Sequence, residues 1–165
     1  MSCCFPYYTT SSCSGRISIL STPTSSTAHK KARGGLWLFI THDFADKDAV
    51  LDAFFRVDDA DASAQQCDDV FRFEPLIITV ECRNVASAQT IVTLAIAAGF
   101  RESGITSVGK RVIVGIRCSI RMKFLWGTGR VMVSREYVEF LVGVANQKME
   151  ANRKKTDYKQ WSCEP

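Results

Sequence analysis

Ser12, Cys13, Ser14, Gly15 and Arg16 stand consecutively within "YYTTSSCSGRI", and residues of these types offer two chemistries. Hydroxyls and a thiol become nucleophiles when a base is close. Alternatively, small residues let the backbone pass near a ligand, hydroxyls and amides donate to anionic groups, and the arginine clamps a carboxylate or phosphate with paired hydrogen bonds. The only histidines are His29 and His42. His42 closes the apolar run "LWLFITH", a strand end from which functional side chains emerge, which makes it the candidate base. A covalent route would pair Cys13 with His42. A nucleophile elbow, however, reads G-x-S-x-G, and "SSCSG" does not. The binding reading of this loop is the stronger one.

Other motifs fail on context. "GITSVGKR" comes near the phosphate-binding G-x-x-x-x-G-K-[ST], but Arg111 stands where the magnesium-holding hydroxyl belongs. It also follows a helical pattern and opens a strand, the reverse of a true phosphate loop, so it is read as a glycine-containing turn. "GTG" at 127–129 is not followed by a helix with a third glycine, which excludes a dinucleotide fingerprint and a doubly wound nucleotide-binding domain. Cys3, Cys4 and Cys13 near His29 match no ordinary zinc spacing, so no metal is expected.

Length and composition set the frame for these residues. The 165-residue chain is 46% hydrophobic and 23% charged, as one globular domain with a real core requires. No apolar run approaches a membrane span, and "MSCCFPYYTT" lacks the basic start and apolar middle of a signal peptide. Seven cysteines without a C-x-x-C pair read as reduced thiols, and a cytoplasmic location is expected. The formal charge of +4 hides an asymmetry: nine aspartates against Lys47 and Arg56 give −7 between Asp43 and Asp69, so the rest carries +11. A basic body with one acidic segment suits a polyanionic partner such as nucleic acid.

The elements that must position these residues follow from periodicity. After an opening loop, "RISIL" reads as a short strand, and "STPTSSTAHKKARGG" as a mobile connection. "LWLFITH", Leu36 to His42, predicts a buried strand. Helix 1 is expected from about Asp46 to Arg56, with Val50, Leu51 and Phe54 at helical spacing, and "VDDADASAQQCDD" as an acidic loop. "VFRFEPLIITVECR" is strand-like on both sides of Pro75, which belongs at an edge or bulge. Beyond it Leu76, Ile78, Val80 and Cys82 face one way, and Ile77, Thr79, Glu81 and Arg83 the other. Helix 2 places Ala88, Ile91, Val92, Ala95 and Ala98 on one stripe, with Gly99 as its stop. "KRVIVGIRCSIRMKFL" reads as one strand. Its apolar face runs from Val112 to Phe124, and Arg111, Arg117, Ser119, Arg121 and Lys123 on the other face read equally as a surface for phosphates or as an ordinary solvated face. Ser134 caps a last helix whose stripe is Tyr137, Phe140, Leu141, Val144, Ala145 and Met149. The basic segment from about residue 150 is either its extension or a loose tail.

Several of these stretches, in order and at similar spacing, resemble the tRNA wybutosine-synthesizing protein 3 family: "YYTTSSCSGRI", "LWLFITH", "FRFEPLIITVECRNVASAQ", "AIAAGFRESGIT" and "EYVEFLVGVANQKMEANRKK". The resemblance runs from about Tyr7 to Lys155 and treats residues 1–165 as one domain. It implies a compact two-layer α/β (α+β) fold with a mixed sheet and about three helices, unlike a Rossmann methyltransferase. It also implies an S-adenosylmethionine-dependent methyltransferase acting on N4 of 7-aminocarboxypropyl-demethylwyosine, next to the anticodon of tRNA(Phe). Matched residue by residue, the family motif falls on Ser12, Cys13, Ser14, Gly15 and Arg16, its strand-end histidine on His42, and its glutamate–proline pair on Glu74 and Pro75. Arg101, Ser103 and Arg117 match its remaining arginines and serine. Three departures stand out: only six residues precede Tyr7 where relatives usually carry a helical segment, Thr79 replaces a histidine many relatives have, and "RMKFLWGTGR" lacks a common proline.

Methyl transfer from a sulfonium is an in-line displacement, so the protein must align the nucleophilic nitrogen and remove its proton. The expected proton acceptor is His42 or Glu74, with Ser12 beside them. Arg16, Arg101 and Arg117 would hold phosphates or carboxylates. A tRNA-binding domain of the same fold without catalysis is the alternative, and a Cys13 thiol hydrolase a third.

Overall fold

The computed structural model describes residues 6–23, 35–55, 67–128 and 133–157. Its frame is a pair of long strands, β1 (Tyr7–Pro23) and β3 (Cys67–Cys82), antiparallel along almost their whole length from Tyr7↔Cys82 to Pro23↔Cys67. The opening stretch is therefore strand, not loop. Its Tyr and Thr residues are good strand formers, but a polar run with no alternation conceals a strand whose partner lies far along the chain. β2 (Leu36–Thr41) pairs with the second half of β1. On the other side of β3, β5 (Val112–Arg117) pairs with its second half and β6 (Met122–Thr128) with its first; β4 (Gly104–Val108) borders β5.

All these pairings are antiparallel, which corrects the mixed sheet the resemblance implied. β4 and β5 are joined by only Gly109–Arg111, too short for the crossover that parallel neighbours need. β4 itself replaces most of the turn expected at 104–111. The expected single strand from Lys110 to Leu125 is two. Cys118–Arg121 interrupts it where its pairing moves from one half of β3 to the other, although the alternation of buried and exposed residues continues through the break. β2 is an edge strand, not a buried one: Leu36, Trp37 and Ile40 are exposed.

The helices are α1 (Lys47–Phe55), α2 (Val85–Ala97) and α3 (Arg135–Thr156). Asp46 accepts from the Ala49 amide, Asn84 from Ser87, and Ser134 from Tyr137, so each helix starts on a side-chain cap. α2 stops where Gly99 takes φ +88°. α3 runs through the basic segment to Thr156. Its buried stripe is Val138, Leu141, Val142, Ala145, Met149 and Asn152, rotated from the one expected. Tyr137 and Phe140 turn outward and stack on each other, with Tyr137 also edge-on to Phe124.

α1 and α3 close the main core over Ile17, Ile19, Phe71 and Phe73, where Phe54 meets Phe71 edge-on at 6.0 Å. Burial of each such side chain is worth roughly 1.5–3 kcal/mol. α2 covers Val80, Cys82 and Val114, and Phe100 and Cys118 join the two regions. The buried side of β3 thus moves from odd positions (Phe71, Phe73) to even ones (Val80, Cys82) across Glu74–Pro75. In β1 the matching irregularity is Gly15, the register partner of Pro75, with φ +111°. Lys155 near the end of α3 donates to the Gly99 carbonyl at the end of α2. The phase change therefore lets all three helices share one face, giving the two layers expected. The connection 24–34 with His29, the acidic loop over 56–66, Cys3, Cys4 and the tail beyond Asp157 lie outside the described residues.

Candidate active site

Where β3 changes partner at Pro75, a cleft of about 550 Å³ opens, a size in the ordinary range for small-molecule sites, roughly 300–1,000 Å³. Ser12, Cys13, Arg16, Glu74 and Arg117, from three strands and far apart in sequence, meet in its walls. Ser11, Pro75, Leu76, Ile77 and Arg121 complete the lining together with Cys118. A second cavity of about 440 Å³ lies behind Leu76 against α2, lined by aliphatic residues with Phe100 and Thr156. It holds no ionisable side chain. A third cavity, of about 450 Å³, is lined by Glu81, Arg83, Lys110 and Arg111 at the C-terminal end of β3, away from Ser12 to Arg16.

The cleft is organised by charge pairs. Arg16 donates through Nε to Glu74 Oε2 at 2.6 Å, and Arg72 approaches the other carboxylate oxygen at 3.9 Å. Both side chains of the closer pair are about a third exposed, so its worth lies in geometry more than in stability. Arg121 is paired with Glu102 at 2.8 Å. Arg117 has no ion pair among the described residues; its amide donates to Ser103 Oγ at 3.2 Å, which places Ser103 as a support for β5. Arg101 is exposed and does not line the cleft.

His42 stands one residue beyond β2, beside Cys13 but outside the cleft lining. Its Nδ1 lies 2.8 Å from the Gly15 carbonyl and 3.9 Å from Cys13 Sγ. A carbonyl only accepts, so Nδ1 carries the proton and Nε2 is the basic nitrogen of the neutral ring. The nitrogen nearest Cys13 therefore cannot take the thiol proton.

Behind the motif, Asn152 of α3 is 1% exposed. Its Nδ2 donates to the Ser14 carbonyl and its Oδ1 accepts from the Leu76 amide, both at 2.8 Å. One buried side chain thus ties together the two strands that form the cleft. A Cβ on Gly15 would come within 2.9 Å of Asn152 Nδ2 and 3.3 Å of the Glu74 carbonyl. Gly15 is required by its positive φ and by this close approach. Asn146, six residues earlier, grips the Ala45 amide and carbonyl in the same way. Neither asparagine was singled out from sequence. The available signal was an amide three residues after Met149, in register with an apolar stripe.

The profile of the family described as "Methyltransferase TYW3" matches residues 5–160. The chain belongs to this family. It is 60% identical over 159 residues to the "tRNA wybutosine-synthesizing protein 2/3/4" of Arabidopsis thaliana, an alignment covering 92% of this chain and 16% of that protein. It is 40% identical over 152 residues to the "tRNA wybutosine-synthesizing protein 3 homolog" of Xenopus laevis, covering 90% of this chain and 57% of that one. The chain therefore spans about a sixth of the plant relative and just over half of the frog one. Among solved structures it is similar to the PH1069 protein of Pyrococcus horikoshii, with TM-score 0.72 and 31% identity over 91% of this chain and 73% of that chain. No described helix is long and apolar enough to cross a membrane, and no three described metal-ligating side chains cluster.

Proposed function

We propose that this chain is a cytoplasmic S-adenosylmethionine-dependent tRNA methyltransferase domain. Its product is the N4-methylated form of 7-aminocarboxypropyl-demethylwyosine next to the anticodon of tRNA(Phe). The observation that carries this reading is the convergence of Ser12, Cys13, Arg16, Glu74 and Arg117 on one polar cleft. Membership of a methyltransferase family supports the reaction class, and the relatives' names support the pathway.

The donor set suits a zwitterionic, hydroxyl-rich cofactor. Arg117, without an acidic partner among the described residues, is the group to meet a carboxylate, and Ser11 and Ser12 offer hydroxyls. When bound, S-adenosylmethionine supplies the electrophilic methyl group. Glu74 is engaged by two arginines, which suits it to orient Arg16 rather than to accept a proton. His42 is the proton acceptor through Nε2, fixed in that tautomer by the Gly15 carbonyl and acting through water. Cys13 lines the wall without a covalent role.

The test is mass analysis of tRNA(Phe) bearing the wybutosine intermediate after incubation with the protein and methyl-labelled cofactor. The expected result is a gain of one methyl group on the modified base. No gain in mass, together with no cofactor binding by calorimetry, would leave a tRNA-binding domain instead.

A further inference from the structure

The phase change at Gly15 and Pro75 has a second effect: it leaves the sheet face opposite the helices bare among the described residues. That face includes the candidate cleft and continues past Arg16 toward β2 and β6. Glu74 and Arg72 alternate with the buried Phe71 and Phe73, so they project away from the core. Lys123 is the register partner of Arg72 on β6, which sets their Cβ atoms about 5 Å apart on the same face. Trp37 of β2 completes the surface. Its ring lies 5.2 Å from the Arg16 guanidinium and 5.3 Å from that of Arg72, yet the residue remains 41% exposed.

The described residues leave part of this face without partners. Arg72 Nε is buried with no hydrogen-bond partner among the described residues, and Lys123 is exposed with no ion pair among them. Glu74 and Glu102 are the paired acids here, against Arg16, Arg72, Arg117, Arg121 and Lys123, so the face is net positive. An exposed indole flanked by two guanidinium groups, with further cations beyond, is a combination suited to single-stranded nucleic acid. Bases stack on the ring and on guanidinium planes, while phosphates meet the cations.

We infer that Trp37, with Arg72, is a stacking platform for an unpaired RNA base neighbouring the nucleotide held in the cleft, and that Lys123 meets the adjoining phosphate. This rests on the reading of the partner as RNA. Arg16 fixes the spacing, since it both lines the cleft and touches the Trp37 ring, so the platform is one side chain away from the reacting nucleotide.

The experiment is fluorescence anisotropy of a labelled anticodon stem-loop RNA against the whole chain and its variants. Trp37→Leu, which keeps apolar bulk but has no π-face, should weaken binding at least about tenfold, whereas Trp37→Phe should stay within about threefold. Lys123→Ala should lower the slope of log affinity against log salt by about one. Thermal unfolding and cofactor calorimetry on the same proteins should show Trp37→Leu unaltered in both. Equal RNA affinity of Trp37→Leu and Trp37→Phe, or no RNA binding by the parent chain, would overturn the inference. If the parent protein transfers methyl groups while Trp37→Leu binds RNA normally, this inference alone falls. If the parent transfers none but binding depends on the Trp37 ring, the platform stands and the methyltransferase reading falls.

Discussion

Arg16 carries three contacts that belong to different purposes: a charge-assisted hydrogen bond to Glu74, a place in the cleft wall, and a cation–π contact with Trp37. Arg16→Ala should therefore weaken cofactor binding by about 1.5–3 kcal/mol, the ordinary worth of a hydrogen bond to a charged group, read by calorimetry. Cys13→Ser should leave binding and turnover nearly unchanged, because the histidine nitrogen nearest the thiol is already committed to the Gly15 carbonyl. Loss of turnover in Cys13→Ser with binding intact would restore the nucleophile. His42→Gln keeps a hydrogen-bonding side chain but no titratable nitrogen. It should lower the methyl-transfer rate by roughly 10²–10⁴-fold with little change in cofactor affinity. At this scale the sequence was informative: the motif, His42, Glu74 and Arg117 are legible as types. Whether Glu74 accepts a proton or orients an arginine was not, because that depends on Arg16 meeting it from the neighbouring strand.

At the scale of elements, the cleft depends on one irregularity shared by two strands and held by one helix. Gly15→Ala forces a side chain into a positive-φ position and drives a methyl group toward Asn152. The expected loss is about 1–3 kcal/mol in urea unfolding, together with weaker cofactor binding. Asn152→Ala strands the Ser14 carbonyl and the Leu76 amide inside the protein and should cost roughly 2–4 kcal/mol. An Asn152→Ala protein as stable as the parent would mean that the strands hold the cleft without α3. Element types were mostly readable, since periodicity gave α1, α2, α3 and most of β3. The first half of β1 and the whole of β4 were hidden, because polar or glycine-bounded runs become strands only when a partner strand supplies their hydrogen bonds. The break between β5 and β6 was hidden for the opposite reason, since alternation persists through it.

For the molecule as a whole, the response to acid follows from which carboxylates the fold favours ionised. The Phe44 amide and Arg153 hold Asp43 below its ordinary value, Arg111 and Tyr8 do so for Glu81, and Glu136 is lowered by its own amide and Ser134. These three add stability that is complete above the ordinary carboxylate range and lost as pH falls through their depressed folded values. Asp69 acts oppositely. Burial raises its carboxyl, against a hydrogen bond with Ser21 and with a further push from Asp68, so its ionisation weakens the fold as pH rises from 3.8 through the folded value. Asp69→Asn should therefore stabilise the protein at neutral pH, by less than about 1 kcal/mol given its partial exposure, and leave it unchanged below pH 3.8. Urea midpoints at the two pH values check this. An equal change at both would rule out ionisation as the cause.

By itself the sequence determined the class of the fold and the basic character of the body, and it marked Ser12, Cys13, Arg16, His42, Glu74 and Arg117 as candidates. Local preference and side-chain type are properties of short segments, and short segments carry them. Only the tertiary structure decided that the motif lies in a strand, that Asn152 and Trp37 belong to its surroundings, and that Arg101 does not line the cleft. Those outcomes depend on antiparallel register between residues some sixty positions apart and on a single change of phase at Gly15 and Pro75. No local pattern encodes them, because the change matters only through the face on which it places the side chains that follow.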